Sequence, residues 1–182
     1  MFIRSERLFL RPGWPEDWDE LLPLIADALV VRNLTATPWP YAAEDAKEFV
    51  RKPQEKLAPH FVVTLPSGTG TKLVGCAGLA HHGENVHLGY WIAREHWGQG
   101  YATEASRAVL GLAAALGHRR IMARHFTDNP ASGRVLAKLG FRPTGETQCF
   151  SAYRGGEAPA QGYVLELATG GDSGDDGVML AA

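Results

Sequence analysis

Three consecutive stretches of the chain are rich in Val, Leu and aromatic residues, and the last of them alternates with the period of a half-buried strand. The stretches cover residues 60 to 66, 72 to 80 and 86 to 93, and residues typical of turns separate them. Gly89 interrupts one face of the last stretch. The pattern predicts a three-stranded meander, and Gly89 predicts a bulge or the close approach of a ligand.

A helical spacing follows the meander, because apolar residues between 102 and 116 recur every three or four positions and end at Gly117. This spacing predicts an amphipathic helix, and residues 119 to 126 predict a strand after it. Strand, helix and strand then form a right-handed crossover, so the two strands are expected to be parallel. Asn129 and Pro130 predict a further short helix, as its N-cap and its first-turn proline.

The N-terminal part predicts one strand and two helices. Residues 4 to 12 alternate and predict the strand. An acidic stretch with leucines after Pro15 predicts a helix, which Pro23 is expected to break or delay. Residues 43 to 54 predict the second helix, and two prolines with two aromatic residues between 34 and 41 predict an ordered loop.

Gly98 and Gly100 join the meander to the amphipathic helix. Glycine permits backbone angles that are closed to other residues and lets a ligand approach closely. The first N–H groups of a helix lack intrahelical partners and carry partial positive charge, which favours phosphate. A P-loop would need a lysine here and a dinucleotide loop an acidic residue about twenty positions later, and the chain has neither. A tight turn without a ligand stays open on this pattern alone.

Composition and charge narrow the classes of function. The chain has 182 residues, of which 45% are apolar, and this suits one domain with a sizeable core. The net charge is −2, and three aspartates after residue 170 leave the remainder near neutral, which argues against nucleic-acid binding. Cys76 and Cys149 are too few for a disulfide framework, and neither a leader pattern nor a membrane-length apolar run is evident. We therefore expect a cytoplasmic protein.

Two motifs resemble those of the GCN5-related N-acetyltransferase (GNAT) superfamily. One is the loop from 97 to 103, which resembles the loop that binds the pyrophosphate of acyl-CoA. The other runs from Asn129 to Phe141 and includes Ser132. The opening stretch, residues 5 to 12, also resembles the ribosomal-protein alanine N-acetyltransferase (RimJ/RimL-like) branch, and the likeness extends over roughly residues 4 to 168.

This resemblance implies one α/β (α+β) domain over residues 1 to 168. Its mixed, mostly antiparallel sheet would have about seven strands and about four flanking helices, with a parallel pair at the acetyl-CoA site. Residues 169 to 182 form an acidic tail without a counterpart, which is expected to be disordered. The implied partners are acetyl-CoA as cosubstrate and an amine acceptor, without metal, nucleic acid or membrane, and a homodimer stays open.

The resemblance also assigns site residues. The Ile92 backbone N–H would stabilise the oxyanion, and Ser132 would donate a proton to the departing sulfur. The pantetheine arm would pair with the strand edge as a peptide adds to a sheet. Cofactor contacts are expected from Ile92, Arg94, Gly98, Gln99, Gly100, Tyr101, Ala102, Thr103, Asn129 and Ser132.

Two positions depart from the superfamily pattern. Glu95 stands where relatives usually carry Gln or Arg, so its side chain is expected to point away from phosphate. Leu136 stands where many relatives carry a tyrosine as general acid, and Ser132 would replace it. A base acting through water near neutral pH is expected at His87, with Glu84 as the alternative, and a partly exposed strand residue is the other interpretation of His87.

The expected acceptor follows from basicity, since an α-amine titrates at about 8 and a lysine at about 10.4. A site without a strong base suits a peptide or protein N-terminal α-amine, or a small-molecule amine, attacking directly in a ternary complex. The rate would rise through a pKa between about 6.5 and 8. Trp39, Tyr41 and a hairpin around residues 155 and 156 would form the acceptor cleft, with core packing as the alternative for each aromatic residue. A non-catalytic acyl-CoA sensor of the same fold is the alternative function.

Overall fold

The computed structural model describes residues 1 to 68 and 70 to 167. Its strands are β1 (Ile3–Arg4), β2 (Phe9–Arg11), β3 (His60–Ser67), β4 (Gly70–His82), β5 (Asn85–Ile92), β6 (Arg120–Phe126), β7 (Arg142–Ser151) and β8 (Gly156–Glu166). They form one sheet in the order β1-β2-β3-β4-β5-β6-β8-β7, in which only β5 and β6 are parallel neighbours among the described residues. The predicted mixed sheet with one parallel pair is confirmed, with one strand more than expected. The predicted tail lies outside the described residues.

Helices cover both faces of the sheet. They are α1 (Trp18–Ile25), α2 (Ala28–Val31), α3 (Ala43–Arg51), α4 (Tyr101–Ala115) and α5 (Pro130–Lys138). The two faces can be told apart along β5, whose side chains alternate between them. Leu88 packs in one apolar cluster with Val109 of α4, and Trp91 packs in the other cluster with Leu21 of α1. Within the described part of the chain, no helix has the length and apolar character that crossing a membrane requires.

The N-terminal predictions need two corrections. Residues 4 to 12 form two short strands instead of one, because the Ser5 N–H donates to the Leu8 carbonyl across a turn (3.0 Å). The first helix is preceded by a 3-10 turn, Pro15–Asp17, and then runs through Pro23 without a break. An internal proline costs a helix about 3 kcal/mol, and burying two large aliphatic side chains, as Leu21 and Ile25 are buried here, offsets about that much.

Candidate active site

The parallel strands β5 and β6 are bridged at a single register position, His87 with Met122. The Ala93 N–H donates to Val74 of β4 (2.8 Å), and successive N–H groups of a strand point to opposite edges. The Ile92 N–H therefore faces the β6 side, where the pair has opened. The indole Nε1–H of Trp97 donates to the Ile92 carbonyl (2.7 Å), which holds the next peptide group, between Ile92 and Ala93.

The loop before α4 leaves its backbone open to a ligand. Gly98 and Gly100 have φ of 76° and 82°, values that side chains disfavour, and a Cβ added to Gly98 would meet no atom within 4 Å. The first intrahelical bond runs from the Glu104 N–H to the Gly100 carbonyl (3.0 Å). The N–H groups at the start of α4 therefore have no partner within the helix and are available to bind an anion.

Glu104 and Arg7 connect this loop to the turn between β1 and β2. The Glu104 carboxylate accepts from the Ser5 hydroxyl and from the Arg7 N–H, both at 2.7 Å, and pairs with the Arg7 guanidinium (2.7 Å). Arg7 Nη1 donates to the Gln99 carbonyl (3.0 Å). The β1–β2 turn thus braces the glycine loop, a role for Arg7 that the sequence patterns did not reveal.

Ser132 lies beside Tyr90 of β5. The two hydroxyl oxygens are 2.7 Å apart, and the Tyr90 hydroxyl is 3.2 Å from the Ser132 carbonyl oxygen. Asn129 caps α5 by accepting from the Ser132 N–H (3.3 Å). Burial is the main cause that raises the pKa of Tyr90 to about 12, so this phenol keeps its proton at any working pH. Sequence reasoning missed Tyr90, although the strand alternation places it on the same face as Ile92.

One cavity of about 680 Å³ passes through the opened strand pair. Its glycine-loop half is formed by Gly98 and by Gly100, Tyr101, Ala102 and Thr103, at the start of α4. Its arginine half is formed by Arg32, His82, His87, Arg124 and Asp128, on the face that carries Trp91. Ile92, Asn129 and Ser132 line the passage between the halves. The cavity therefore connects the two faces of the sheet.

Several predicted cofactor and phosphate positions lie elsewhere. Arg94 and Gln99 do not line the cavity; the Arg94 guanidinium is 4.0 Å from Asp27. The Glu95 carboxylate pairs with Lys72 on β4, away from the loop. Leu136 is fully buried in the core between α5 and the sheet, so that position contributes packing.

The pKa of His87 differs from the near-neutral value expected from its sequence context. Burial, followed by the nearby His82 and Arg124, lowers the pKa of His87 to about 4. The rings of His82 and His87 meet edge to face with centroids 4.8 Å apart. His87 is therefore uncharged at neutral pH and is a far weaker base than an ordinary histidine.

Trp39 and Tyr41 do not line the cavity. Tyr41 packs against the cluster beneath α1 and α3, and burial raises its pKa above the usual value. Trp39 lies in the same loop but contacts Tyr153 at the tip of the β7–β8 hairpin, with ring centroids 4.9 Å apart. The loop and the hairpin thus meet, and the segment that borders the cavity is residues 29 to 36.

Arg32, Asp128 and Arg154 form an ion-pair cluster at the rim of the arginine half. Asp128 pairs with Arg32 (2.7 Å) and with Arg154 (2.8 Å), and Arg154 also donates to the Arg32 carbonyl (3.1 Å). The cluster joins the end of α2, the loop before α5 and the β7–β8 hairpin. These three residues are far apart in sequence, and no local motif marks them.

The acetyltransferase (GNAT) domain family matches residues 7 to 142, three quarters of the chain. The chain belongs to the GNAT acetyltransferase family. The predicted superfamily is therefore confirmed, and the glycine loop and the Asn129 motif both lie within the matched part.

Relatives and solved structures agree with the family. An uncharacterized N-acetyltransferase of Bacillus subtilis (strain 168), YoaA, is 42% identical over 73 residues, which are 40% of this chain and 41% of that relative's length. A GNAT-family acetyltransferase of Bacillus anthracis is 26% identical, with a TM-score of 0.78 over 91% of this chain and 98% of that one. RimL, a ribosomal L7/L12 alpha-N-protein acetyltransferase in complex with coenzyme A, is 20% identical, with a TM-score of 0.76 over 92% and 98% of the two chains. The last likeness shows a shared fold.

Proposed function

We propose that this protein transfers an acetyl group from acetyl-CoA to a primary amine, either the N-terminal α-amine of a peptide or protein or a small-molecule amine. The observation that carries the proposal is the cavity through the opened β5–β6 pair, with helix N–H groups at one end and the Ser132–Tyr90 hydroxyl pair beside the passage. The likeness to RimL, whose acceptor is a protein α-amine, supports the same reaction class.

The glycine-loop half fits the phosphates of coenzyme A. Its donors are backbone N–H groups at the positive end of a fifteen-residue helix, and Gly98 leaves space for close approach. Arg134 and Lys138 of α5 line the same cavity and add positive charge. Acetyl-CoA, when bound, supplies the activated acetyl group and the thiolate that leaves.

Ile92 and Ser132 would then act on the two ends of the breaking thioester. The Ile92 N–H points into the opened pair and would donate to the carbonyl oxygen as that oxygen gains charge. The Ser132 hydroxyl would donate to the sulfur. The Tyr90 hydroxyl has one proton, and when it donates to Ser132 Oγ the serine proton is free for the sulfur.

The weak basicity of His87 bears on the acceptor. A histidine with a pKa of about 4 cannot remove a proton effectively from an ammonium group near neutral pH, so the acceptor must lose its proton largely to water. An α-amine does so at about pH 8, and a lysine needs about pH 10.4. An α-amine, or a small amine of similar basicity, is therefore the acceptor class that we propose.

Acetyl-CoA turnover against a panel of α-amines, small amines and lysine side chains tests the proposal, with calorimetry of CoA binding beside it. We expect CoA release with α-amine peptides or small primary amines. Tight CoA binding without turnover of any amine would identify an acyl-CoA sensor, and absence of binding would remove both functions.

A further inference from the structure

The arginine half of the cavity holds more positive charge than its residues neutralise. Among the described residues that line the whole cavity, Asp128 is the one acid, and its carboxylate already pairs with Arg32 (2.7 Å) and Arg154 (2.8 Å). The two histidines, His82 and His87, have lowered pKa values and are neutral at working pH. The positive charge of Arg124 is thus not neutralised by a carboxylate that lines the cavity.

Arg124 lines this half of the cavity. Ile121 and Ala123 of β6 pack in the core under α4, so the alternation of the strand turns Arg124 to the opposite face. The β5–β6 bridge at His87 and Met122 brings Gly89 alongside Arg124, and a Cβ added to Gly89 would meet no atom within 4 Å. Open space therefore lies next to the arginine.

The groups around Arg124 do not neutralise it. No ion pair within 4.0 Å connects Arg124 to a carboxylate of residues 1 to 68 or 70 to 167. Its polar contact is the thiol of Cys149, whose pKa burial raises, so the thiol carries no charge. Glu157 acts on the same thiol but is exposed on β8 and does not line the cavity.

We propose that the acceptor carries a carboxylate close to its amine and that Arg124 binds this carboxylate. The inference rests on the proposed function, in which the phosphates of acetyl-CoA would occupy the opposite half and the acceptor would enter from this one. A guanidinium offers two parallel N–H donors that match a carboxylate, and such charge-assisted pairs are the strong ones. The same surplus of positive charge disfavours lysine-rich acceptors, so it selects by repulsion as well as by attraction.

Two matched acceptor pairs test the inference. The peptides Ala-Glu-Ala-amide and Ala-Gln-Ala-amide share one α-amine, and 3-aminopropionate and propylamine form the small-molecule pair, with rates expressed per neutral amine. We expect kcat/KM to favour the acidic member of at least one pair by about tenfold or more, mainly through KM. Preference in the peptide pair alone indicates an acidic peptide, and preference in the small pair alone indicates a small amino acid.

Arg124→Gln should remove this preference, and Arg124→Lys should keep part of it because the charge remains. Arg120→Gln is the matched control, since Arg120 lies on the same strand but is exposed and pairs with Glu166 (3.6 Å) outside the cavity. Melting temperatures of the three variants show whether each is folded. Equal kcat/KM for both members of each pair in the wild-type enzyme would overturn the inference while leaving the acetyltransferase function intact.

A binding measurement tests recognition of the carboxylate without turnover. Calorimetry of N-acetylated Ala-Glu-Ala-amide and its Gln counterpart, with CoA present, reports recognition of the product. Tighter binding of the acidic product, lost in Arg124→Gln, supports the inference even if no amine in the panel is acetylated. Equal affinities for the two peptide products would rule out an acidic peptide, and equal affinities for N-acetyl-3-aminopropionate and N-propylacetamide as well would refute the inference.

Discussion

In the glycine-loop half of the cavity the groups that face a ligand are mainly backbone N–H groups, held by two glycines with φ of 76° and 82°. In the arginine half they are charged side chains from two distant parts of the chain, namely Arg32 after α2, and Arg124 and Asp128 on β6 and directly after it. The first kind of site needs one contiguous segment with the right local conformation. The second kind exists only after the sheet has formed in the correct register.

Under the proposed function, this difference lets one half bind a common cosubstrate while the other varies. Backbone donors at a helix N-terminus recognise phosphate whatever the neighbouring side chains are. Side chains on a strand and on loops can change one at a time without disturbing the fold, and they determine which acceptor fits. The four predictions that follow test the two halves and the passage between them, from the largest expected effect to the smallest.

The largest effect is expected in the glycine-loop half. Gly100→Val places a β-branched side chain at φ 82° and crowds the N–H groups that precede Tyr101. Affinity for acetyl-CoA should fall by at least about tenfold and catalysis with it, as calorimetry and turnover would show. Gly117→Val is the matched control, because Gly117 has φ 89° with open space at the other end of α4. If a folded Gly100→Val protein bound acetyl-CoA as tightly as the Gly117→Val protein, the phosphate site would lie elsewhere.

The passage between the halves is expected to control chemistry more than binding. Ser132→Ala should lower kcat by about a hundredfold, the size of a general-acid contribution, with little change in acetyl-CoA affinity. Tyr90→Phe should lower kcat by about tenfold, because Ser132 loses the hydroxyl that orients it. Tyr163→Phe, which removes only a contact with His125 (3.2 Å), should leave kcat near that of the wild type. Rates within about twofold of wild type for Ser132→Ala would remove this serine from the mechanism.

The glycine loop, the Asn129 cap and the alternation of β5 could be predicted because each depends on neighbouring residues. The glycines lie next to the helix that they start, and Asn129 caps the helix that carries Ser132. Three features could not be predicted, because tertiary packing decides them: the split of the first strand, the continuation of α1 through Pro23, and the ion-pair cluster at Asp128. The pKa of His87 depends first on burial and then on His82 and Arg124 of other strands, an environment that no local pattern contains.

In the arginine half, the pH dependence of the rate should follow the acceptor and not His87. With an α-amine peptide, kcat/KM should rise through a pKa of about 8, and with a lysine side chain as acceptor the rise should move up by about two units. His87→Gln should leave the midpoint of the rise unchanged, because His87 has a pKa of about 4. A rise that disappears in His87→Gln would show that this histidine is the base after all.

The smallest effect is expected in the stability of the arginine half in acid. In the folded protein the pKa of His87 is about 4, below its usual value near 6.5. Between about pH 4 and pH 6.5, His87 is therefore protonated in the unfolded chain but neutral in the folded protein. The contribution of His87 to stability should therefore be constant above about pH 6.5 and fall as the pH decreases toward 4. Because His87 is only partly buried, solvent screening limits the loss to the order of 1 kcal/mol, or a few degrees in melting temperature. His87→Gln should lose less stability than the wild type between pH 7 and pH 4.5, and calorimetric melting of the two proteins side by side measures this. An equal loss in both would mean that His87 titrates normally in the folded protein.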